Sequence, residues 1–325
     1  MKPIWMLCAL ASAAAAVAAH AATPGPGQPY PIKPIRIVAS TTPGSGPDIF
    51  ARLIGHKLTE AWGQQVVVDN RAGASGIIGT EIAAKAAPDG YTLLILTSSH
   101  VIVAALFQKL KYDLIRDFAP VSLLGKTPFV LTVNPSVPVA SVNELLALAK
   151  ARPGQLHYGS GGAGTPPHLA TEILKSMTGV DLVHVPFKGI TPALTDTIAG
   201  QVQLTVAVVP AVLPMIKTGK LKALAVTSLT RSPLVPDLPT IAETVPGYEV
   251  IGWYSVVAPA GTPPRIIDRL HAELIRMLKT RDFQARIAGL GAESIGSTPQ
   301  ELGEYLRAQT AKMQKAVETV KLRRE

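Results

Sequence analysis

The feature that most constrains this chain is a regular alternation of short β-branched runs with longer segments of helical periodicity. In the first part of the chain, strands are predicted at 35–39, 65–69 and 92–97, with helices at 47–61 and 77–86. Strand–helix–strand units of this length favour parallel pairing with right-handed crossovers. The pattern therefore predicts an α/β protein.

The alternation returns further along the chain and indicates a second lobe. Strands are predicted at 129–133, 156–159, 182–185, 202–207, 221–227 and 253–258, and helices at 264–279 and 299–320. A further helix begins at Ser141, because Ser141-Val142-Asn143-Glu144 has the spacing of a capping box. A chain of 325 residues is long enough for two domains of about 150 residues. We expect the first lobe to begin with 23–127, the second lobe to span 128–228, and 229–325 to return and complete the first lobe.

The first 22 residues have the three parts of a secretory signal. Lys2 precedes the apolar run 4–17, and Ala19-His20-Ala21 forms an A-x-A cleavage site. The run is short for a membrane span, although an uncleaved anchor is the alternative. We expect export to the periplasm with cleavage near Ala21 or Ala22. Because Cys8 is the one cysteine, the mature chain would contain neither a disulfide nor a cysteine ligand for a metal.

The charge distribution and the absence of several sequence motifs exclude several functions. The net charge is +9, but the basic residues are scattered and only 5% of residues are aromatic, which argues against nucleic-acid binding. No dinucleotide, P-loop or histidine-rich metal motif occurs, so we expect neither cofactor nor metal. Ser45 and Ser160 both lack the G-x-S-x-G elbow. We expect a protein that is not an enzyme, with an exported α/β hydrolase using Ser45 or Ser160 with His100 or His168 as the alternative.

Glycine- and hydroxyl-rich loops follow several predicted strands and precede helices. In an open α/β sheet this position suits an anion, because free amides and the helix dipole face it. The loops at 41–48 and 159–168 contain no Lys or Arg, so an anion there would be held by amides, hydroxyls and water. The candidate ligand-binding residues are Thr41, Thr42, Gly44, Ser45, Gly46, Asp48, Ser98, Ser99, His100, Ser160, Gly161, Gly162, Gly164, Thr165, His168, Gly189, Ile190 and Thr191.

Together, these motifs resemble those of the periplasmic solute receptors of the tripartite tricarboxylate transporter system, the Bug or TctC-like family. The resemblance extends almost from end to end and rests on Pro43-Gly44, 48–53, 68–76, 87–93, 158–161, 184–189, 200–202, 219–227 and 258–263. It implies a two-lobed periplasmic binding protein of type II, a Venus flytrap with a mostly parallel sheet in each lobe. It also implies a small organic carboxylate as ligand, membrane permease subunits as partners and a monomeric receptor. A ligand-sensing receptor for a signalling partner remains an alternative.

Several positions depart from the family's usual pattern. The first loop contains Gly44-Ser45-Gly46-Pro47-Asp48 where Gly-Gly-x-x-Asp is common, and Ile190-Thr191 stands where small residues are usual. Val208 and Val209, which are further candidate ligand-binding residues, follow a strand after which members often carry Asp and a polar residue. His100 replaces a small or hydroxylic residue. Loss of polar groups at this wall predicts a monocarboxylate, or an acid with an apolar or aromatic far end, rather than citrate or aspartate.

Overall fold

The computed structural model describes residues 30–107, 109–162 and 164–319. The predicted signal segment at 1–22 and its cleavage site lie outside these residues. The strands are β1 (Ile35–Ala39), β2 (Val66–Asn70), β3 (Thr92–Thr97), β4 (Phe118–Val133), β5 (Leu156–Ser160), β6 (Leu182–Pro186), β7 (Leu204–Val208), β8 (Lys222–Val226), β9 (Ile251–Pro259) and β10 (Glu293–Ser294). The helices are α1 (Gly46–Trp62), α2 (Ile77–Ala84), α3 (Ser98–Leu106), α4 (Val142–Ala151), α5 (Pro166–Thr178), α6 (Ile190–Ile198), α7 (Val209–Lys217), α8 (Pro264–Leu278), α9 (Arg281–Gly289) and α10 (Pro299–Thr319).

Strand pairing divides the molecule into two lobes. In the first lobe, β1 pairs in parallel with β2 and β3, and in the second lobe β5 pairs in parallel with β6 and β7. β9 lies antiparallel between β3 and β4, while β7 and β8 lie antiparallel to β4. Each lobe therefore contains the parallel pairs expected from the strand–helix alternation. It also contains antiparallel pairs, which involve the long strand β4 and the strand β9. This is the two-lobed periplasmic binding fold of type II.

The long strand β4 belongs to both lobes. Its residues 118–128 pair with β9, and its residues 129–133 pair with β7 and β8. The sequence predicts only the second part, because Pro120, Gly125 and Pro128 interrupt the first. The register there shifts between Pro120 and Ser122 and again between Leu123 and Gly125, so the strand accommodates these residues at irregularities.

Separate apolar cores stabilise the two lobes. Ile37, Phe50 and Leu270 belong to one buried cluster of the first lobe, and Leu131 and Tyr158 belong to a cluster of the second lobe. Helix α8 places its apolar face in the first cluster, so the C-terminal helices pack on the sheet that the N-terminal strands form. Among the described residues, no helix has both the length and the apolar character that a membrane span requires.

The topology also determines where the strands end. Parallel strands β1 and β3 end beside each other. The loop after β1 and the start of α3, which follows β3 directly, meet the loop after β5 across the gap between the lobes. Each loop leads into a helix, so helix N-termini face this gap. The fold therefore positions polar loop residues from both lobes around one space.

Candidate ligand-binding site

A cavity of about 750 Å³ lies between the two lobes, within the size range of sites for small molecules. The described residues that line it are Ser40, Thr41, Thr42, Pro47, Ala72, Gly73, Ser75, Gly76, Thr97, Ser99, His100, Val103, Leu106, Phe107, Gly164, Thr165 and His168. The last three belong to the second lobe and all the others to the first. None of these lining residues is Lys, Arg, Asp or Glu.

Helix α3 gives the cavity one polar end and one apolar end. Ser99 and His100 lie in its first turn, while Val103 and Leu106 follow one and two turns later on the same side. Phe107, directly after the helix, extends the apolar wall. A bound molecule would therefore have hydrogen-bond donors near the start of α3 and hydrocarbon contacts near its end.

Ser40 is held at the carboxyl end of β1 by close packing against α2. A Cβ atom at Gly79 would lie 2.8 Å from the Cα atom of Ser40 and 2.7 Å from the carbonyl oxygen of Arg71, and one at Gly76 would lie 3.2 Å from the Ser40 hydroxyl. Only glycine permits this approach at Gly79, because the obstructing atoms there include backbone. The spacing of these glycines thus serves to press a helix against the site.

The loop between β2 and α2 is the least expected part of the wall. Gly73, Ala74, Ser75 and Gly76 all have positive φ angles, at 126°, 45°, 54° and 92°. Positive φ is uncommon for Ala and Ser, and such conformations are concentrated at functional sites. Gly73, Ser75 and Gly76 line the cavity, so the unusual backbone lies where a ligand would contact it.

His100 links β1, β3 and α3 through its ring. The Thr97 backbone amide donates to His100 Nδ1 at 3.0 Å, and His100 Nε2 lies 2.7 Å from the hydroxyl oxygen of Ser40. The ring is buried, and burial lowers the pKa of His100 from its usual 6.5 to about 4. His100 is therefore neutral at physiological pH.

His168 occupies the matching position in the second lobe. Both histidines are the third residue of their helices, after Thr97 in α3 and after Thr165 in α5. The Gly164 amide donates to His168 Nδ1 at 3.1 Å, so this ring also accepts a backbone proton at Nδ1. Burial, and then the neighbouring His184, lower the pKa of His168 to about 4.

A cluster of polar side chains in the second lobe packs against His168 and holds its ring in place. The ring of His168 stacks on the ring of His184, with centroids 4.0 Å apart. The ring of Tyr158 also stacks on His184, with centroids 4.8 Å apart. His184 Nε2 lies 2.7 Å from the hydroxyl oxygen of Ser160, which is itself fully buried. Tyr158 donates to Glu172, which also accepts from Lys175. This arrangement fixes the orientation of the imidazole that lines the cavity.

The candidate residues from the sequence divide into those that the cavity brings together and those that it does not. Lining the cavity are Thr41, Thr42, Ser99, His100, Gly164, Thr165 and His168. Outside its lining lie Gly44, Ser45, Gly46, Asp48, Ser98, Ser160, Gly161, Gly162, Gly189, Ile190, Thr191, Val208 and Val209. The loops at 160–162 and 189–191 lie against each other, since the Gly189 amide donates to the Gly161 carbonyl. Their role in binding stays a prediction.

Asp48 and its neighbours show what the first loop does locally. The Asp48 carboxylate accepts from the Gly44 amide at 2.8 Å, from Arg52 Nε at 3.0 Å and from Asn70 Nδ2 at 2.9 Å. Burial raises the pKa of this carboxyl, but the hydrogen bonds from Arg52, Gly44 and Asn70 bring it below its usual value. The Asp48 side chain is thus engaged in holding the loop.

Several lining residues were missed by sequence reasoning. They are Ser40, Pro47, Ala72, Gly73, Ser75, Gly76, Thr97, Val103, Leu106 and Phe107. Ser40 directly precedes the recognised loop, and the hydroxyl that follows a buried strand was a signal that could have identified it. Val103 and Leu106 carried no such signal, because an apolar residue on a helix is ordinarily part of a core.

Comparisons with known proteins agree with this fold. The family model described as the tripartite tricarboxylate transporter family receptor matches residues 50–322. The chain is 39% identical over 290 residues to the UPF0065 protein in the tcbD-tcbE intergenic region of Pseudomonas sp. strain P51, covering 89% of this chain and 86% of that protein. It is 38% identical over 288 residues to the protein BugT of Bordetella pertussis, covering 88% of each.

Solved structures give the same result in three dimensions. A structure of Rpa4515 from R. palustris with adipate matches with a TM-score of 0.80 and 38% identity, covering 90% of this chain and 98% of that chain. MatC from Rhodopseudomonas palustris with bound malate matches with a TM-score of 0.76 and 30% identity, covering 89% and 100%. These similarities extend over both lobes.

Proposed function

Because this chain belongs to the tripartite tricarboxylate transporter receptor family, we propose that it is an extracytoplasmic receptor for a small organic carboxylate. The receptor captures the acid between its lobes and delivers it to the membrane components of a tripartite transporter. It holds the acid by hydrogen bonds and does no chemistry on it. The adipate and malate bound to the two solved relatives support this class of ligand.

The composition of the cavity is the observation that carries the proposal. Its polar end combines hydroxyl groups with two neutral histidines, and none of its described lining residues is charged. The first turns of α3 and α5 also face it, and a helix N-terminus favours an anion. A carboxylate fits this end, because it accepts several hydrogen bonds without a cationic partner.

The apolar end supports a narrower ligand class. Val103, Leu106 and Phe107 offer no donor to a second acid group, and a carboxylate left there without partners would lose its hydration. The ligand is therefore a monocarboxylate, or an acid whose far end is apolar or aromatic. Hexanoate and adipate test this directly, because they have the same chain length and differ by one carboxylate.

A thermal-shift panel tests the proposal on the mature protein. A ligand at one hundred times its Kd adds about 2.7 kcal/mol to stability, so binding is measurable without knowing the ligand beforehand. The expected order is hexanoate or benzoate above adipate, and adipate above citrate and aspartate. Clear preference for citrate or aspartate would overturn the narrow class, and no response to any acid would overturn the receptor assignment.

Closure of the lobes depends on where the chain crosses between them. Pro128 ends the pairing of β4 with β9, and Phe129 begins its pairing with β7. Beside this point, the Thr227 amide donates to the Phe129 carbonyl, and the Thr227 carbonyl accepts from the Val250 amide. These contacts support lobe boundaries at 127/128 and 228/229 with bending near 125–130 and 226–232. Small-angle scattering should show a smaller radius of gyration with the bound acid.

Export is part of the same proposal. The predicted signal segment places the mature receptor in the periplasm, and N-terminal sequencing of protein recovered from that compartment should begin near Ala22 or Thr23. An N-terminus at Met1 in a membrane fraction would instead indicate an uncleaved anchor. The receptor is expected to act as a monomer, which light scattering can check.

The geometry argues against the hydrolase alternative. Ser45 bonds to Thr41 and to the Thr42 carbonyl, and Ser160 faces His184 rather than His100 or His168. A nucleophile needs a base with a free ring nitrogen and access to substrate, and Ser160 is fully buried. If the protein hydrolysed a p-nitrophenyl ester, and Ser45→Ala or Ser160→Ala abolished that activity, the hydrolase alternative would be correct.

A further inference from the structure

We propose that the Ser40 hydroxyl donates a hydrogen bond to the ligand's acid group, and that His100 is the positioning residue that directs the Ser40 proton into the cavity. This inference rests on the proposed function, because it concerns the same cavity and assigns the donor that selects its ligand. Neither residue belongs to the glycine-rich loops that the sequence first indicates. Ser40 directly precedes the loop at 41–48, and His100 lies in the first turn of α3.

The first step is that the Thr97 amide determines the tautomer of His100. A backbone N–H can only donate, and it points at His100 Nδ1 at 3.0 Å, so Nδ1 must present its lone pair. The Thr97 hydroxyl also lies 3.0 Å from Nδ1, but a hydroxyl adapts to either tautomer and does not decide between them. The neutral ring therefore carries its proton on Nε2.

The second step is that His100 leaves Ser40 one direction in which to donate. His100 Nε2–H is 2.7 Å from the Ser40 hydroxyl oxygen, which accepts that proton. The hydroxyl has a single proton of its own, and it is free to donate elsewhere. Ser40 lines the cavity while only 6% exposed, and the tight packing of Gly76 and Gly79 around it restricts its movement.

The third step concerns which ligand groups can face Ser40. A carboxylate or carbonyl oxygen accepts the hydroxyl proton, whereas an ammonium group would present its own protons to a donor. The neutral His168 ring carries its proton on Nε2 for the same reason as His100, since Gly164 donates to its Nδ1. Donors from both lobes therefore select an acceptor at this end of the cavity.

The same geometry separates this pair from a catalytic dyad. In a serine hydrolase the histidine accepts the hydroxyl proton at Nε2, which requires its own proton to be on Nδ1. Here Nδ1 faces a backbone donor, so Nε2 is occupied and has no lone pair for the Ser40 proton. Ser40 and His100 are arranged for binding rather than for proton abstraction.

The tautomer can be measured on the ligand-free protein. Nitrogen-15 spectra of histidine-labelled protein at pH 7, assigned with His100→Gln, should show His100 as a neutral ring protonated at Nε2. A ring protonated at Nδ1, or doubly protonated, would overturn the proposal. This measurement requires neither a ligand nor a destabilising substitution.

A double-mutant cycle tests the coupling to binding, with hexanoate and adipate as probes in calorimetric titrations. Ser40→Ala should weaken the better-bound acid by roughly 10- to 100-fold, the usual range for a hydrogen bond to a charged group. His100→Asn retains an acceptor for the Thr97 amide but is too short to reach Ser40, and it should weaken binding by a similar factor. His100→Gln, longer by one methylene, can satisfy both partners and should stay within about threefold of wild type.

The decisive comparison is the double variant Ser40→Ala/His100→Asn. Its affinity should equal that of Ser40→Ala alone, because His100 acts through Ser40. Losses that multiply would show that His100 contributes independently, and the proposal would be wrong. If the wild-type protein binds neither acid nor any other acid of the panel, the proposed function fails, and the nitrogen-15 spectrum alone then decides whether His100 orients Ser40.

Discussion

The two walls of the cavity use the same local device but contribute very unequally. Each lobe places a neutral histidine at the third position of a helix, with Nδ1 accepting a backbone amide. The first lobe adds the loops after β1 and β2 and one side of α3, whereas the second lobe adds only Gly164, Thr165 and His168 among the described residues. The first lobe thus forms most of the site in advance, and the second lobe completes it.

The histidines also differ in what lies beyond the ring. Both rings line the cavity, but His100 Nε2 is 2.7 Å from the Ser40 hydroxyl oxygen and acts through that hydroxyl, whereas His168 stacks on His184 and faces no such hydroxyl group in the described part of the chain. One ring therefore orients a donor and the other is a donor. The following experiments test whether this difference between the lobes is real.

The largest expected effect is a loss of stability in acid. Both histidines have a pKa near 4 in the folded protein and near 6.5 when unfolded, so the unfolded chain binds more protons between these values. The contribution of the neutral histidines to the free energy of unfolding should be fully present above pH 6.5. It should be lost as the pH falls towards 4, by on the order of 3 kcal/mol for each histidine. Urea denaturation at each pH measures the effect.

Two variants assign that acid effect to the lobes. His100→Gln and His168→Gln should each remove part of the pH dependence, and His184, whose pKa burial also lowers, should account for a further part. If both site variants retained the wild-type slope, the neutral state of these rings would have been assigned wrongly.

The next effect concerns the packing that holds the first-lobe wall. Gly79→Ala places a Cβ atom within 2.8 Å of Ser40 and should destabilise the protein by about 1–3 kcal/mol. Gly303→Ala, in α10, is the matched control, because the nearest atom would be 3.5 Å away and alanine favours a helix by up to about 1 kcal/mol. Thermal unfolding with and without hexanoate should show that only Gly79→Ala loses both stability and binding. Equal behaviour of the two variants would contradict the role given to this packing.

A smaller effect is expected from the second-lobe donor. His168→Phe retains an aromatic ring against His184 but removes the proton on Nε2, and should weaken hexanoate binding about tenfold. Because the second lobe completes a largely formed site, the change should appear in the dissociation rate. Stopped-flow measurements that found a slower association instead would reverse the order of events assigned to the lobes.

The smallest effect is expected in the recognised first loop. Ser45→Ala removes hydrogen bonds to Thr41 and to the Thr42 carbonyl, at a half-buried position outside the cavity lining. Affinity should change by less than about threefold, corresponding to about 0.7 kcal/mol. A loss of tenfold or more would show that Ser45 contacts the ligand, as the sequence alone suggests.

The alternation of strand and helix patterns allowed most of the architecture to be predicted. The first strand and the helix after it are found nearly where expected, as is the helix that begins after Ser141. Helix α9 was not predicted. The first part of β4 was also missed, because prolines interrupt it and its pairing partner β9 lies far along the chain.

The candidate site was predicted less completely for a related reason. Gly44, Ser45 and Asp48 have the local composition of an anion-binding loop, yet the structure places only the beginning of that loop, Thr41 and Thr42, and later Pro47, at the cavity. Composition shows that a loop has free amides and hydroxyls, but it does not show which way they point.

What the sequence determined by itself is the position of most helices, strands and turns, since turn glycines, capping residues and apolar periodicity act over a few neighbouring positions. Only the tertiary structure decided that His100 would lie against Ser40, sixty residues away along the chain. That contact depends on α2 packing on β1 and on β1 pairing with β3. A hydrogen bond is made or lost within a few tenths of an ångström, a precision that long-range packing sets and local pattern does not.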